Sequence, residues 1–414
     1  MSARVRLGAL LLAWSASATA AEEAVPSPAA SAEHFAACIA DIGVQARSVG
    51  VREETLDAVL PRIEFLPRVI ELDRRQPEFT QTFAAYYDRR VTSGRVEKGR
   101  ALLQEHAALL AEVQRETGVP PQYIVAFWGL ETNFGSYFGR MSVPNALATL
   151  ACDDRRPTFF ANELLAALQI LDAGDIELDA MEGSWAGAMG HMQFMPTTFL
   201  KHAVDGDGDG RRDLWGSLED AFSSAGRFLA GLGWQPGWRW GREVRLPADF
   251  DHALAGRSNA RPLSEWRALG VLDTRGNAMP ALDVEAAVLV PHGHEGPAFV
   301  VYDNFDVIMR WNRSEYYALS VGRLADRISG AGRLDRAAED SGLRLARDDV
   351  RALQEALDEA GHDAGGADGL FGPGTRAALR AWQRARGEVA DGFPDRAVFA
   401  AFGIAPAADA EDAG

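Results

Sequence analysis

The sequence predicts a mainly α protein with a small β insertion and a C-terminal three-helix module. Three observations carry this. Helical patterning dominates from about Phe35 to about Pro247, β-branched and alternating runs replace it from about Pro262 to Ile308, and a compact amphipathic unit closes the chain.

Taken in order, residues 1–20 read as a secretory signal peptide. Arg4 and Arg6 form its basic start, Leu7 to Trp14 its apolar stretch, and Ala18-Thr19-Ala20 its small-residue cleavage site. A Pro/Ala/Ser/Glu-rich spacer runs from Ala21 to about Ser31. Helices are then expected over Phe35–Ala46, Arg95–Thr117, Phe159–Leu171 and Leu218–Leu232, with Gly or Pro punctuating most ends. The β runs are Val284–Val290 and Phe299–Val301, separated by the turn residues Pro291–Pro297. Helical character returns over Tyr316–Ile328. A Gly/Arg/Asp-rich stretch, about Gly330 to Arg344, leads to the final unit. There Val350, Leu353 and Leu357 form one stripe, Thr375–Arg386 a second helix and Arg396–Phe402 a third, with a turn over Asp368–Gly374. Ala405 to Gly414 are expected to be disordered.

With 414 residues and 47% hydrophobic content, the chain can bury a real core in one large domain plus a small one. A formal charge of -17 argues against nucleic acid, whose phosphates this surface would repel. Beyond the signal, no segment approaches the roughly 20 apolar residues of a membrane span, so a mature protein soluble outside the cytoplasm is expected. A monomer is expected. Cys38 and Cys152 are either joined, as an exported chain permits, or two buried thiols.

The chemistry begins at Glu131. Pro120 and Pro121 suit a first helical turn, and Ile124, Phe127, Trp128 and Glu131 then share one stripe at helical spacing. A carboxyl among apolar side chains loses solvation when ionised, and a helix C-terminus disfavours its negative charge, so both effects raise its pKa. That is the starting state of a general acid. A buried Glu satisfied by a local donor is the alternative. Gly135 can stop the helix just beyond Glu131. About fifty residues on, Gly183 to Phe199 combine glycines and alanines for close backbone approach, the neutral amide of Gln193, and flat Met and Phe walls that suit a sugar chain.

Glu131-Thr132-Asn133-Phe134-Gly135, Ala146-Leu147-Ala148-Thr149-Leu150 with Arg155-Arg156, Gly187-Ala188-Met189-Gly190 with Gln193-Phe194-Met195-Pro196, and Trp311-Asn312-Arg313-Ser314 with Tyr317 follow one another in order. Together they resemble the lytic murein transglycosylases of the membrane-bound lytic transglycosylase B type, over most of residues 34–330. The resemblance implies a lysozyme-like core and a single catalytic acid and base, Glu131. It implies substrate-binding roles for Ser184, Gln193, Arg155, Arg156, Asn312 and Tyr317. The implied reaction is non-hydrolytic cleavage of the β-1,4 bond between N-acetylmuramic acid and N-acetylglucosamine in periplasmic peptidoglycan, leaving 1,6-anhydromuramoyl ends and needing no cofactor. A hydrolytic muramidase and a non-catalytic wall-binding scaffold are the alternatives. Two positions depart from the pattern. Trp311 stands where Tyr is expected, keeping a stacking surface but losing a phenolic hydrogen bond. His191 sits inside the glycine-rich motif, as a bystander or a second acid.

Asp205, Asp207 and Asp209 place oxygen ligands at alternate positions, with Gly210 for the sharp turn and Arg211 at the backbone-carbonyl position of a calcium loop. Position 12 is Gly216, so closure must come later, through Glu219 or Asp220, and the resemblance favours Asp220 as the closing ligand of a structural Ca²⁺. A solvated acidic turn is the alternative. The final unit, residues 346–404, resembles the peptidoglycan-binding domain 1 family through Leu353-Gln354, Asp368-Gly369, Phe371-Gly372, Thr375 and Trp382-Gln383. That implies tethering to glycan strands of the wall. Trp382 is expected in its core.

Overall fold

The computed structural model describes residues 28–74, 81–339 and 343–406. The signal peptide, most of the spacer and the stretch from 407 lie outside the described residues. The first helix, Pro28–Ser48, begins inside the expected spacer.

The helix Pro121–Thr132 is central. Every residue from Tyr123 to Leu130 is buried, so it is apolar all round rather than along one stripe. It packs against the helices Ser93–Glu105, Ala107–Thr117 and Glu315–Ile328. Gly129 permits one close approach, since a Cβ there would lie 2.8 Å from the Phe134 ring. The shell around this helix includes Val143–Ala151 against Pro157–Ala173, and Leu218–Gly231 against Ala107–Thr117.

The β insertion is a five-stranded antiparallel sheet in the order Arg261–Pro262, Glu285–Leu289, Ala298–Val301, Gly241–Arg245, Leu272–Asp273. Glu285–Leu289 and Ala298–Val301 read as nearly continuous apolar runs because both faces are covered. Ala287, Leu289, Phe299 and Val301 face the helical core. The alternate residues Ala286, Val288, Val290, Ala298 and Val300 join Trp266, Phe250 and Met279 in a second core. The sheet is thus a wall between two cores. Two expectations need correction here. The strand Gly241–Arg245 lies in a region read as helical, where pairing on both edges outweighs its polar sequence. The helix Asp303–Trp311 replaces the end of the expected β region, with Asp303 and Asp306 in its first turn and Phe305, Ile308 and Met309 on its buried face.

Cys38 and Cys152 form a disulfide across 114 residues, settling the choice between bridge and thiols. It ties the first helix to the end of Val143–Ala151, whose Leu147 packs so closely under Gly187 that a Cβ there would lie 2.4 Å away.

The terminal module has helices Arg347–Glu359, Pro373–Ala385 and Arg396–Ala401 around Leu353, Leu357, Leu379, Trp382 and Phe399. Its motif glutamines do the same job twice. Gln354 accepts from Gly369 N at 2.8 Å and donates to Asp368 Oδ1 at 3.0 Å. Gln383 accepts from Gly392 N at 2.8 Å and donates to Asp391 Oδ1 at 3.1 Å. Each buried amide therefore fastens an Asp-Gly turn, which accounts for these motif residues through the module's own stability. Asp391 also joins the module to the β lobe, accepting from His294 N at 2.8 Å.

Candidate active site

Glu131 is the penultimate residue of its helix. The expected stop at Gly135 comes two residues late, because Asn133 already caps the helix at φ 50°. Asn tolerates that left-handed conformation by local bonding, and its Nδ2 donates to Ser136 Oγ at 2.9 Å.

Two neutral donors converge on one oxygen of Glu131. Trp311 Nε1 donates to Oε1 at 2.9 Å and the Tyr317 hydroxyl donates to the same atom at 2.5 Å. Both come from the junction between Asp303–Trp311 and Glu315–Ile328. Asn312 Oδ1 accepts from Ser314 N at 3.1 Å, and Ser314 Oγ caps the second helix by accepting from Tyr317 N at 3.3 Å. The Trp-Asn-Arg-Ser motif is therefore a corner that aims an indole and a phenol at the acid. Burial, and then the nearby Glu131 charge, push the Tyr317 phenol well above its ordinary value, so it stays a donor.

The substitution of Trp311 for Tyr accordingly keeps a hydrogen bond as well as a ring. The indole supplies the N–H, while its ring sits 4.3 Å from Phe127 and 5.5 Å from Phe194. Through Phe194 it joins the glycine-rich turn to the acid. Tyr317 is only 2% exposed, so its contact is with Glu131 rather than with a sugar. Asn312 is exposed beside this corner.

The glycine-rich segment folds back on itself. Ser184 Oγ accepts from Ala188 N at 3.0 Å, and Gln193, at φ 49°, donates from Nε2 to Gly190 O and to Phe138 O, both at 3.1 Å. Gln193 thus grips the strand of chain that leaves Glu131. Arg155 and Arg156 are placed differently. Both pair with Asp73, whose side chain is 3% exposed, Arg155 Nη1 at 2.7 Å and Arg156 through Nη2. Their described contacts are with Asp73, and for Arg156 with the Phe160 ring, not with Glu131 or Gln193.

His191 is buried behind the helix. Its Nδ1 accepts from Trp128 Nε1 at 2.8 Å, its N donates to Leu214 O at 2.8 Å, and its O accepts from Thr132 Oγ1 at 3.0 Å. Burial pushes its pKa down to about 4 from 6.5, with Asp213 opposing. A base neutral in the fold but titrating near 6.5 when unfolded contributes stability that is complete above pH 6.5. It is lost as pH falls toward about 4, by on the order of 3 kcal/mol. Urea unfolding of wild type between pH 7 and 4 should show this slope, and His191→Asn should lack it. Trp128 and Thr132 escaped the sequence reading as site residues because their roles exist only across the fold.

In the acidic loop, carboxylate oxygens of Asp205, Asp207 and Asp209 lie within 4.8 Å of one another. Three like charges so close repel, which suits a divalent cation. Asp220 does not join them. It is fully buried, its Oδ1 accepts from Gly206 N and its Oδ2 from Asp213 N, both at 2.6 Å. Through these amides Asp220 ties the loop at Gly206 and Asp213.

One acid held by neutral donors beside a close-packed, glycine-rich wall suits cleavage of a glycosidic bond, and the fold around it is lysozyme-like. Comparison with known proteins makes the class specific. The transglycosylase SLT domain family matches residues 34–326, and the chain belongs to that family. It is a peptidoglycan lytic transglycosylase. Residues 346–402 match the peptidoglycan binding domain family. SltB3 from Pseudomonas aeruginosa, solved in complex with NAG-anhNAM-pentapeptide, is 43% identical with a TM-score of 0.85, covering 89% of this chain and 99% of that one. Membrane-bound lytic murein transglycosylase B from Escherichia coli is 29% identical over 303 residues, 68% of this chain and 79% of that protein. The Escherichia coli lytic transglycosylase Slt35, solved in complex with calcium, is 28% identical with a TM-score of 0.60, covering 72% of this chain and 92% of that one.

Proposed function

We propose that this enzyme works outside the cytoplasm, in the periplasm, with Glu131 as acid and then as base. The observation that carries this is the pair of neutral donors on Glu131 Oε1. Ordinary glycoside hydrolysis needs a second carboxylate across the bond, and the motif residues supply none. With Oε1 held by the two donors, the proton to be transferred would sit on Oε2. It passes to the glycosidic oxygen as the bond from that oxygen to the muramoyl C1 breaks and positive charge develops at C1. Trp311 and Tyr317 stabilise the carboxylate left behind. That carboxylate takes the proton from the muramoyl 6-hydroxyl, whose oxygen closes onto C1 as a 1,6-anhydro ring. No water enters. The peptide complex of SltB3 supports the substrate class. Ser184, Gln193 and Asn312 would line the glycan, while Tyr317 positions the acid. Arg155 and Arg156 would reach substrate from their Asp73 clamp. Mass spectrometry of digested peptidoglycan tests this: anhydromuramoyl ends are expected, and reducing muramic acid ends would support a muramidase.

Residues 34–330 would form the catalytic unit and 346–404 the unit that holds it at the wall, acting as a monomer. Residues 1–20 would direct export. A structural Ca²⁺ fits the acidic loop, where Asp205, Asp207, Asp209 and the carbonyl of Arg211 would hold it and Asp220 would close the site, and the calcium complex of Slt35 supports it. It would neutralise the repulsion among the three carboxylates and stand apart from the chemistry. At a concentration 100 times Kd, calcium should add about 2.7 kcal/mol of stability. Calorimetry with and without chelator reads this as a rise in Tm; an unchanged Tm would remove calcium from the account.

A further inference from the structure

Two strained turns meet behind Glu131. The residues after its helix, Asn133, Phe134 and Gly135, all have left-handed φ, at 50°, 60° and 72°. Facing them in the glycine-rich segment, Gly190 and Gln193 have φ of 63° and 49°. Non-glycine residues hold such conformations only where the surroundings over-determine them. The ring of His191 lies between the turns. A Cβ on Gly135 would fall 2.4 Å from His191 Cε1, and the Phe138 ring meets the imidazole edge-on at 4.7 Å.

We propose that His191 is a positioning residue for Glu131, holding Trp128 through its ring nitrogen and Thr132 through its carbonyl so that the last helical turn presents the carboxyl in one direction. The proposal rests on reading Glu131 as the acid. Trp128 precedes Glu131 by three residues, one turn earlier on the same side of the helix, and Thr132 follows it directly. The two bonds therefore bracket the acid along the chain, at 2.8 Å and 3.0 Å. Thr132 Oγ1 passes the restraint on by accepting from Gly135 N at 3.0 Å. His191 is itself anchored, since its N donates to Leu214 O beyond the acidic loop. On the opposite side Trp311 and Tyr317 fix Oε1. The helix end is thus clamped from both sides. For Nδ1 to accept, the imidazole must be neutral with its proton on Nε2, a state that burial favours. Misplacement of a catalytic group by even about 1 Å costs rate far more than it costs binding.

The test is steady-state cleavage of a soluble glycan fragment by wild type, Glu131→Gln, His191→Phe, His191→Asn, Trp128→Phe and the His191→Phe/Trp128→Phe double variant, each also melted. Phe keeps the ring and removes the acceptor, whereas the Asn Oδ1 lies near the place of Nδ1. His191→Phe should lower kcat by about tenfold or more with KM within about threefold. His191→Asn should recover most of that loss. Trp128→Phe should match His191→Phe, and the double variant should add nothing further. A purely structural role would lower Tm without touching kcat of the folded enzyme. Folded His191→Phe with kcat within about twofold of wild type would overturn the proposal, as would additive losses in the double variant. If His191→Phe does not fold, Trp128→Phe decides by the same criteria. Equal activity of wild type and Glu131→Gln would overturn the underlying reading instead, whatever the His191 variants do.

Discussion

Glu131→Gln is expected to leave a folded protein that no longer cleaves peptidoglycan. Glutamine has the same shape, and its carbonyl can still accept from Trp311 Nε1 and Tyr317, so the corner that holds the acid keeps its bonds. What disappears is a proton that can be given and a carboxylate that can take one back. A single general acid or base contributes roughly 10²- to 10⁴-fold. Because one group would serve both steps on the proposed mechanism, the loss should lie at or beyond the upper end of that range. Initial rates of product release against the wild type measure it. Tm and binding to insoluble wall should change little. Retained cleavage would move the acid elsewhere, and a collapsed Tm would mean that Glu131 is a core residue first.

Cys38→Ser carries the largest expected cost in stability. The bridge closes a loop across 114 residues, and removing it returns that loop-closure entropy to the unfolded chain, about 4 to 5 kcal/mol on the chain-entropy estimate. For a domain of roughly 300 residues that corresponds to a Tm lower by about 6 to 8 °C. Neither cysteine touches Glu131 or its donors, so kcat below the transition should be unchanged. The link matters to the site only indirectly, because Val143–Ala151 supports Gly187 through Leu147. Thermal unfolding of the variant beside reduced wild type measures the effect, and the two should coincide.

How much of this was legible in the sequence depends on the range of each interaction. The glutamate helix was readable because Pro121 to Leu130 carry their signal locally, as do the small residues of Gly187 to Gly190, which neighbours cannot replace without collision. The strand Gly241–Arg245 was not readable, since its identity comes from partners about 55 residues later. The corner at Trp311 illustrates the same limit. A tryptophan in place of tyrosine reads as the loss of a hydroxyl until the fold turns its N–H toward Glu131, 180 residues away in sequence. The loop-shaping part of Asp220 was hidden for a related reason, since it depends on amides of Gly206 and Asp213 that only the fold brings to its oxygens. Gln354 and Gln383 stood out in the sequence only as motif residues, and in the fold they are the fasteners of two turns.

Replacement of water by the sugar's own hydroxyl, deprotonated by Glu131, is the step on which the proposed mechanism turns. It is tested most directly by digesting peptidoglycan in water enriched in heavy oxygen and weighing the new muramoyl ends. The expected ends carry no heavy oxygen and are lighter by one water than reducing ends. Heavy oxygen at the muramoyl C1 would contradict the account, because it would show that water reached the reaction centre and that the enzyme hydrolyses the bond.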